Sequence, residues 1–166
     1  MRLSDEYLNK YDLLDQLCRA RFKLTYGYKL DSVISGVSVL QGQSDAKTAE
    51  KLKEMTSFRN ELVRTANMSK DPAEMVGKID GMLDVVLAQV LDLVKGEMLS
   101  DGFKKKYPQI NCEEQFEIEK EHICNRFSRL VRVAELDAPK IIVDNETRMF
   151  KEAVMGPLDG KFYESE

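Results

Sequence analysis

Four acidic side chains on two predicted helices could hold a divalent cation. On a helix predicted over residues 71–100, apolar residues recur at helical spacing; Asp80 falls inside this apolar arc and Asp84 lies at its edge. A carboxylate on a buried face is costly unless it is paired, hydrogen-bonded or bound to a cation. The preceding predicted helix carries Glu54 and Glu61 at the border of its own apolar face. If the two helices face each other, these carboxylates suit Mg²⁺ or Mn²⁺.

The same acidic residues also have a purely structural interpretation. Asp80 could form an ion pair with an Arg or Lys from another helix. The helix that carries the glutamates also carries Lys47, Lys51 and Lys53, which is typical of a solvated face with pairs four residues apart. The sequence leaves both interpretations open.

Two stretches that contain these acids resemble a known enzyme family. Residues Phe58–Ala66, followed by Ile79–Val86, are similar to the motifs of the all-α nucleoside triphosphate pyrophosphatases of the MazG-like and dimeric dUTPase-like group. In that family, carboxylates on facing helices hold Mg²⁺, which orients the triphosphate and activates the attacking water. The resemblance implies dimers or tetramers, and a reaction that yields a nucleoside monophosphate and pyrophosphate.

The resemblance also assigns roles to particular residues. It implies that Glu61, Asp80 and Asp84 bind Mg²⁺, with Glu54 as an additional candidate ligand. Asn60 and Arg64 stand where the family usually has glutamates. Arg64 is therefore a candidate phosphate-binding residue, and the protein is expected to be either a pyrophosphohydrolase or a degenerate relative of one.

A second functional hypothesis belongs to a different class. A small acidic helical chain without a complete catalytic set could be a non-enzymatic binding module, for example an inhibitor encoded by a phage or mobile element that acts on a host protein. The segment Leu24–Gln43 and the basic stretch at Lys104 would then be candidate contact surfaces. The partner would be a protein that the sequence does not identify.

Composition narrows the remaining classes of function. The 166 residues carry a net charge of −4, which argues against nucleic acid or an anionic membrane as a partner. The longest apolar stretch, Met82–Val94, is too short and too acidic to span a bilayer. No apolar segment begins the chain, and the odd set of cysteines Cys18, Cys112 and Cys124 fits free thiols, so a cytoplasmic location is expected.

The elements that must position these residues are all predicted to be helices. We expect one domain over residues 1–166, an all-α bundle of four main helices and a short fifth, with a loosely held tail from about residue 158. Start signals precede the helices, the clearest being Asp71-Pro72 and Asn111. The fifth helix is expected from Asn145 to Val154. The stretch after Leu24 is either a frayed helix end or a short extended segment, because Gly27 interrupts an alternating pattern.

Overall fold

The computed structural model describes residues 2–30, 34–65 and 67–159. All regular secondary structure in these ranges is helical, so the predicted all-α class is confirmed. The chain order is α1 (Leu3–Tyr26), α2 (Gly36–Gln43), α3 (Ala46–Arg64), α4 (Pro72–Met98), α5 (Asp101–Lys106), α6 (Cys112–Glu135) and α7 (Lys140–Asp159).

Local side-chain caps mark the starts of α3, α4 and α6. The Asp71 carboxylate accepts a hydrogen bond from the Ala73 amide at 3.3 Å, one residue after the proline at the first helical position of α4. The Asn111 side chain accepts from the Glu114 amide at 3.2 Å and begins α6. Both predicted start signals are therefore confirmed. Asp45 caps α3 by accepting from the Thr48 amide at 2.8 Å.

The predicted arrangement of four main helices and a short fifth is not confirmed. The structure contains two short helices that were not predicted, α2 and α5. The last helix, α7, was predicted to be short but has 20 residues. The predicted cap Asn145 lies inside α7, and Pro157 lies within its last turn. Residues 158 and 159 of the predicted tail belong to α7, and the rest of that tail lies outside the described residues. Helices of one or two turns have too few apolar positions to give a periodic signal.

Helix α4 lies at the centre of the packing. It contacts α1, α3, α5, α6 and α7, and α6 and α7 pack against each other as a pair. Its buried face includes Met75, Ile79, Leu83, Val86 and Val90. Each fully buried side chain of this size contributes roughly 1.5–3 kcal/mol relative to an exposed one. The apolar arc read from the sequence therefore forms the middle of the core.

The end of α1 decides between the two alternatives for the stretch after Leu24. The helix continues to Tyr26, and Gly27 ends it in the left-handed conformation with a φ of 78°. The Gly27 amide donates to the Lys23 carbonyl at 2.7 Å. The alternating pattern is therefore the end of a helix.

Two further expectations concern the thiols and the membrane. The three cysteines are free; Cys18 and Cys112 are buried and Cys124 is partly buried. Among the described residues, no helix combines the length and apolar character needed to cross a membrane.

Candidate functional site

The two glutamates predicted to bind metal each have their own protein partners. Glu54 on α3 accepts from the ammonium groups of Lys78 at 2.6 Å and Lys70 at 2.9 Å. These hydrogen bonds, that from Lys78 above all, lower the pKa of Glu54. Glu61 accepts from the hydroxyl of Ser69 at 2.6 Å and from its amide at 3.0 Å, and these bonds lower the pKa of Glu61. Glu54 therefore joins α3 to α4 and to the segment before it, and Glu61 joins α3 to that segment.

Asp80 forms an ion pair with a buried lysine from the first helix. The Lys10 ammonium lies 2.7 Å from the Asp80 carboxylate, 3.0 Å from Glu6 and 3.1 Å from Glu135. The Lys10 side chain is 1% exposed, whereas that of Asp80 is 45% exposed. Burial by itself would lower the pKa of Lys10, but the hydrogen bonds to Asp80, Glu6 and Glu135 outweigh it and raise that pKa. We call these four residues the Lys10 cluster; it joins α1, α4 and α6.

The remaining predicted site residues lie exposed on the surface. Asp84 is on α4, and Arg64 is in the last turn of α3. Within the described residues, no group of three or more His, Cys, Asp and Glu side chains is arranged to hold a metal ion. The geometry gives the magnesium site no support, because three of its four proposed ligands already bind protein donors. The magnesium site stays a prediction.

The sequence also carries a signal for Lys10, which the pattern of acidic residues does not reveal. Lys10 follows Tyr7 by three residues and precedes Leu14 by four, and both neighbours are fully buried. That spacing places the lysine on the apolar face of α1. A buried ammonium group requires a carboxylate partner. The pattern alone could have predicted a lysine partner for an acid such as Asp80.

A cavity of about 450 Å³ lies between α3 and α4 next to Gly77 and Gly81. Its lining is largely apolar, with Met55 and Met82, and it also includes the charged side chains of Glu54 and two lysines. Glu54 is the one carboxylate among these described lining residues, and it already pairs with Lys70 and Lys78. A single carboxylate is not the set of oxygen ligands that a magnesium ion prefers.

A second cavity concentrates positive charge. It has a volume of about 460 Å³ and lies between α1 and α7, beside the segment that follows α1. We call it the basic pocket; its charged lining residues are Arg19, Lys23, Lys29, Lys151 and Asp15. The charge is therefore unevenly distributed over this chain of net charge −4, since four cations and one carboxylate are found among the described residues that line the pocket.

Three proteins to which this chain is similar carry the same name, DNA-directed RNA polymerase subunit beta'. This chain is 27% identical to the DNA-directed RNA polymerase subunit beta' of Halalkalibacterium halodurans over 160 residues, which are 92% of this chain and 12% of the relative. It is 28% identical to the same subunit of Geobacillus kaustophilus over 141 residues, 82% of this chain and 10% of the relative. The beta' subunit of Ruthia magnifica is 28% identical over 160 residues, 90% of this chain and 10% of the relative.

The chain thus spans about a tenth of the length of the curated relatives it matches. No family model matches it. No solved structure matches it either.

These relatives overturn the resemblance to MazG-like pyrophosphatases. The similarity to polymerase subunits covers most of the chain, whereas the pyrophosphatase motifs cover two short stretches, Phe58–Ala66 and Ile79–Val86. The predicted pyrophosphohydrolase activity is therefore wrong, and the self-association implied by that family loses its basis. The physical reason is that acids spaced for metal binding share their spacing with acids that form ion pairs. The hypothesis of an inhibitor of a host protein gains no support from these relatives.

The expectation about nucleic acid also needs correction. The chain's relatives are named as subunits of a DNA-directed polymerase, which contradicts the argument against a nucleic-acid partner. That argument used net charge, which averages over the whole surface. Binding of a phosphate backbone depends on local cations, such as those of the basic pocket.

Proposed function

We propose that this chain forms a helical module of a β'-like subunit of a DNA-directed RNA polymerase and acts in transcription. The observation that carries the proposal is the extent of the similarity, which spans 82–92% of the chain in the relatives named above. The expected cytoplasmic location is part of the same proposal.

Contacts between helices that are far apart in the sequence support a module that folds as a unit. The Asn9 side chain on α1 donates to the Ala134 carbonyl on α6 at 3.2 Å. The Lys10 ammonium contacts the Glu135 carboxylate in the same region at 3.1 Å. α7 packs against both α6 and α4. A segment tied together in this way can keep its fold inside a much longer subunit.

The connection between α6 and α7, together with the first turn of α7, offers a surface for neighbouring parts of such a polymerase. Four large apolar side chains are exposed there, with Ile141 at 77%. We call them the apolar tip: Leu136, Ile141, Ile142 and Val143. Clustered exposed apolar side chains are typical of contact surfaces between proteins. Because about nine-tenths of each relative lies outside the matched region, we propose that the rest of the polymerase covers the apolar tip.

A chimeric polymerase tests the proposal. The matching segment of the Geobacillus kaustophilus beta' subunit is replaced by this chain, and the chimera is mixed with the other polymerase subunits. We expect the chimera to co-elute with those subunits in size-exclusion chromatography and to synthesise RNA on a DNA template.

The control is a second chimera in which an unrelated helical bundle of similar length replaces the same segment. Circular dichroism of the free inserts establishes that both fold. If this chain supports no more assembly and no more RNA synthesis than the unrelated bundle, the proposed function is wrong.

A further inference from the structure

The basic pocket brings together cations from distant parts of the sequence. Arg19 and Lys23 come from α1, Lys29 from the segment after it, and Lys151 from α7. Its volume of about 460 Å³ lies within the range of roughly 300–1,000 Å³ that is typical of small-molecule sites. The pocket is therefore large enough for a ligand with several polar atoms.

Asp15, the one carboxylate among the described residues that line the pocket, is engaged by neighbouring groups. Asp15 accepts from the Gly36 amide at 2.7 Å and from the Ser35 hydroxyl at 3.2 Å. It also accepts from Arg19 Nε at 2.7 Å. Its charge is therefore shared between Arg19 and the start of α2. Lys23, Lys29 and Lys151 form no ion pair with another described residue.

Arg19 of the basic pocket is held in place from two sides. Arg19 Nε donates to Asp15, and a second guanidinium nitrogen donates to the Ile34 carbonyl at 2.6 Å. A guanidinium that is fixed in this way loses little side-chain entropy when it binds an anion. Arg19 would then orient the anion while the lysines supply charge.

Electrostatics in the pocket favour the arrival of an anion. Partial burial, and then the charges of Lys29, Arg19 and Lys23, lower the pKa of Lys151. These cations therefore repel one another in the free protein. An anion with several oxygens would relieve that repulsion and could contact more than one of them.

We infer that the basic pocket between α1 and α7 is a binding site for a phosphate group, carried either by a nucleic-acid backbone or by a free phosphorylated small molecule. Phosphate fits because its several oxygens can each accept from a different cation, and Arg and Lys are the usual protein donors to it. This inference goes beyond the proposed role in a polymerase and does not depend on it.

The experiment uses the purified chain and two probes, sodium pyrophosphate and a short fluorescein-labelled single-stranded oligodeoxynucleotide. Thermal unfolding is followed with pyrophosphate and with sodium chloride of equal ionic strength. Fluorescence anisotropy measures oligonucleotide binding over a series of salt concentrations. The test variant is Lys23→Gln/Lys151→Gln, and Lys151→Arg keeps the charge at one of the two positions.

The matched control is Lys104→Gln/Lys105→Gln, which makes the same change of net charge on exposed lysines of α5. We expect pyrophosphate to stabilise the wild type and Lys151→Arg more than chloride does, and the Lys23→Gln/Lys151→Gln variant no more than chloride. If the phosphate comes from a nucleic-acid backbone, the test variant should bind the oligonucleotide about tenfold more weakly than wild type. The logarithm of its association constant should also fall less steeply with the logarithm of the salt concentration, with a slope shallower by about 1.4. The control variant should keep the wild-type affinity.

Each outcome has a defined meaning. Stabilisation by pyrophosphate without oligonucleotide binding assigns the site to a free phosphorylated ligand, and binding of both that depends on Lys23 and Lys151 assigns it to a nucleic-acid backbone. Binding of neither probe overturns the inference. Equal losses in the test and control variants overturn it as well, because the effect would then reflect overall charge.

Discussion

Lys10 is a buried lysine whose positive charge is balanced by carboxylates from three helices. Its ammonium group is buried, yet three carboxylates from three helices lie within 3.1 Å of it. The partners are more accessible than the lysine, with Asp80 and Glu135 close to half exposed. Loss of the cation should therefore cost more than loss of any one carboxylate.

We predict that Lys10→Ala lowers the free energy of unfolding by about 3 kcal/mol, because it removes the buried stem and leaves three acids facing one another. Asp80→Asn should cost only about 1 kcal/mol, because Lys10 keeps Glu6 and Glu135. Urea unfolding of the wild type and the variants measures both values.

Lys78→Ala is the matched control for this prediction. It removes a lysine whose side chain is 42% exposed and which pairs with Glu54 on the surface, so it should destabilise the protein much less than Lys10→Ala does. A loss in Lys10→Ala no larger than that in Lys78→Ala would contradict the assigned role of the Lys10 cluster. Lys10→Met, which keeps most of the stem, separates the contribution of packing from that of charge.

Among the elements, α2 depends on a contact with another helix. The Asp15 carboxylate of α1 accepts from the amide of Gly36, the first residue of α2, at 2.7 Å. A carboxylate at this point satisfies a free amide and interacts favourably with the helix dipole. A β-carbon at Gly36 would lie 2.7 Å from the Asp15 carbonyl oxygen and 3.0 Å from Arg19 Cγ. The contact therefore requires glycine.

We predict that Gly36→Ala destabilises the protein by about 1–3 kcal/mol, because α2 must move away from the α1 backbone. Gly42 lies in the same helix, and a β-carbon there would meet no atom within 4 Å. Gly42→Ala should therefore stabilise the protein by about 0.5–1 kcal/mol through higher helix propensity. Thermal unfolding of both variants gives the comparison, and equal shifts of the same sign would contradict the close approach at Gly36.

At the scale of the whole molecule, a change at the apolar tip should weaken assembly with the other polymerase subunits while leaving the stability of the chain itself nearly unchanged. Ile141→Lys changes a side chain that is 77% exposed, so we predict a change of less than about 0.5 kcal/mol in the free energy of unfolding. In the chimeric polymerase, the same change should reduce the fraction that co-elutes with the other subunits, since a charge would be buried at the contact.

Ile118→Lys provides the comparison for that change. Ile118 is 60% exposed on α6 and lies on the order of 25 Å along the helix from the apolar tip. It should leave co-elution unchanged. A similar loss of assembly in both variants would show that the apolar tip has no special role.

The sequence by itself determined the features that depend on neighbours a few residues apart. Helical spacing of apolar residues gave the all-α class and the buried face of α4. The starts at Asp71 and Asn111 followed from side chains that cap amides two or three residues away. The position of Asp80 on the apolar arc also indicated that this acid needs a partner, but not whether the partner is a cation or a protein side chain.

Only the tertiary structure decided contacts between residues far apart in the chain. It chose Lys10 as the partner of Asp80, Asp15 as the acceptor at the start of α2, and α7 as the second wall of the basic pocket. The lysines at 23 and 151 belong to helices with five others between them in the chain, so no local pattern relates them. Helical periodicity tells which face of a helix is buried, but which helix covers that face depends on how all seven pack together.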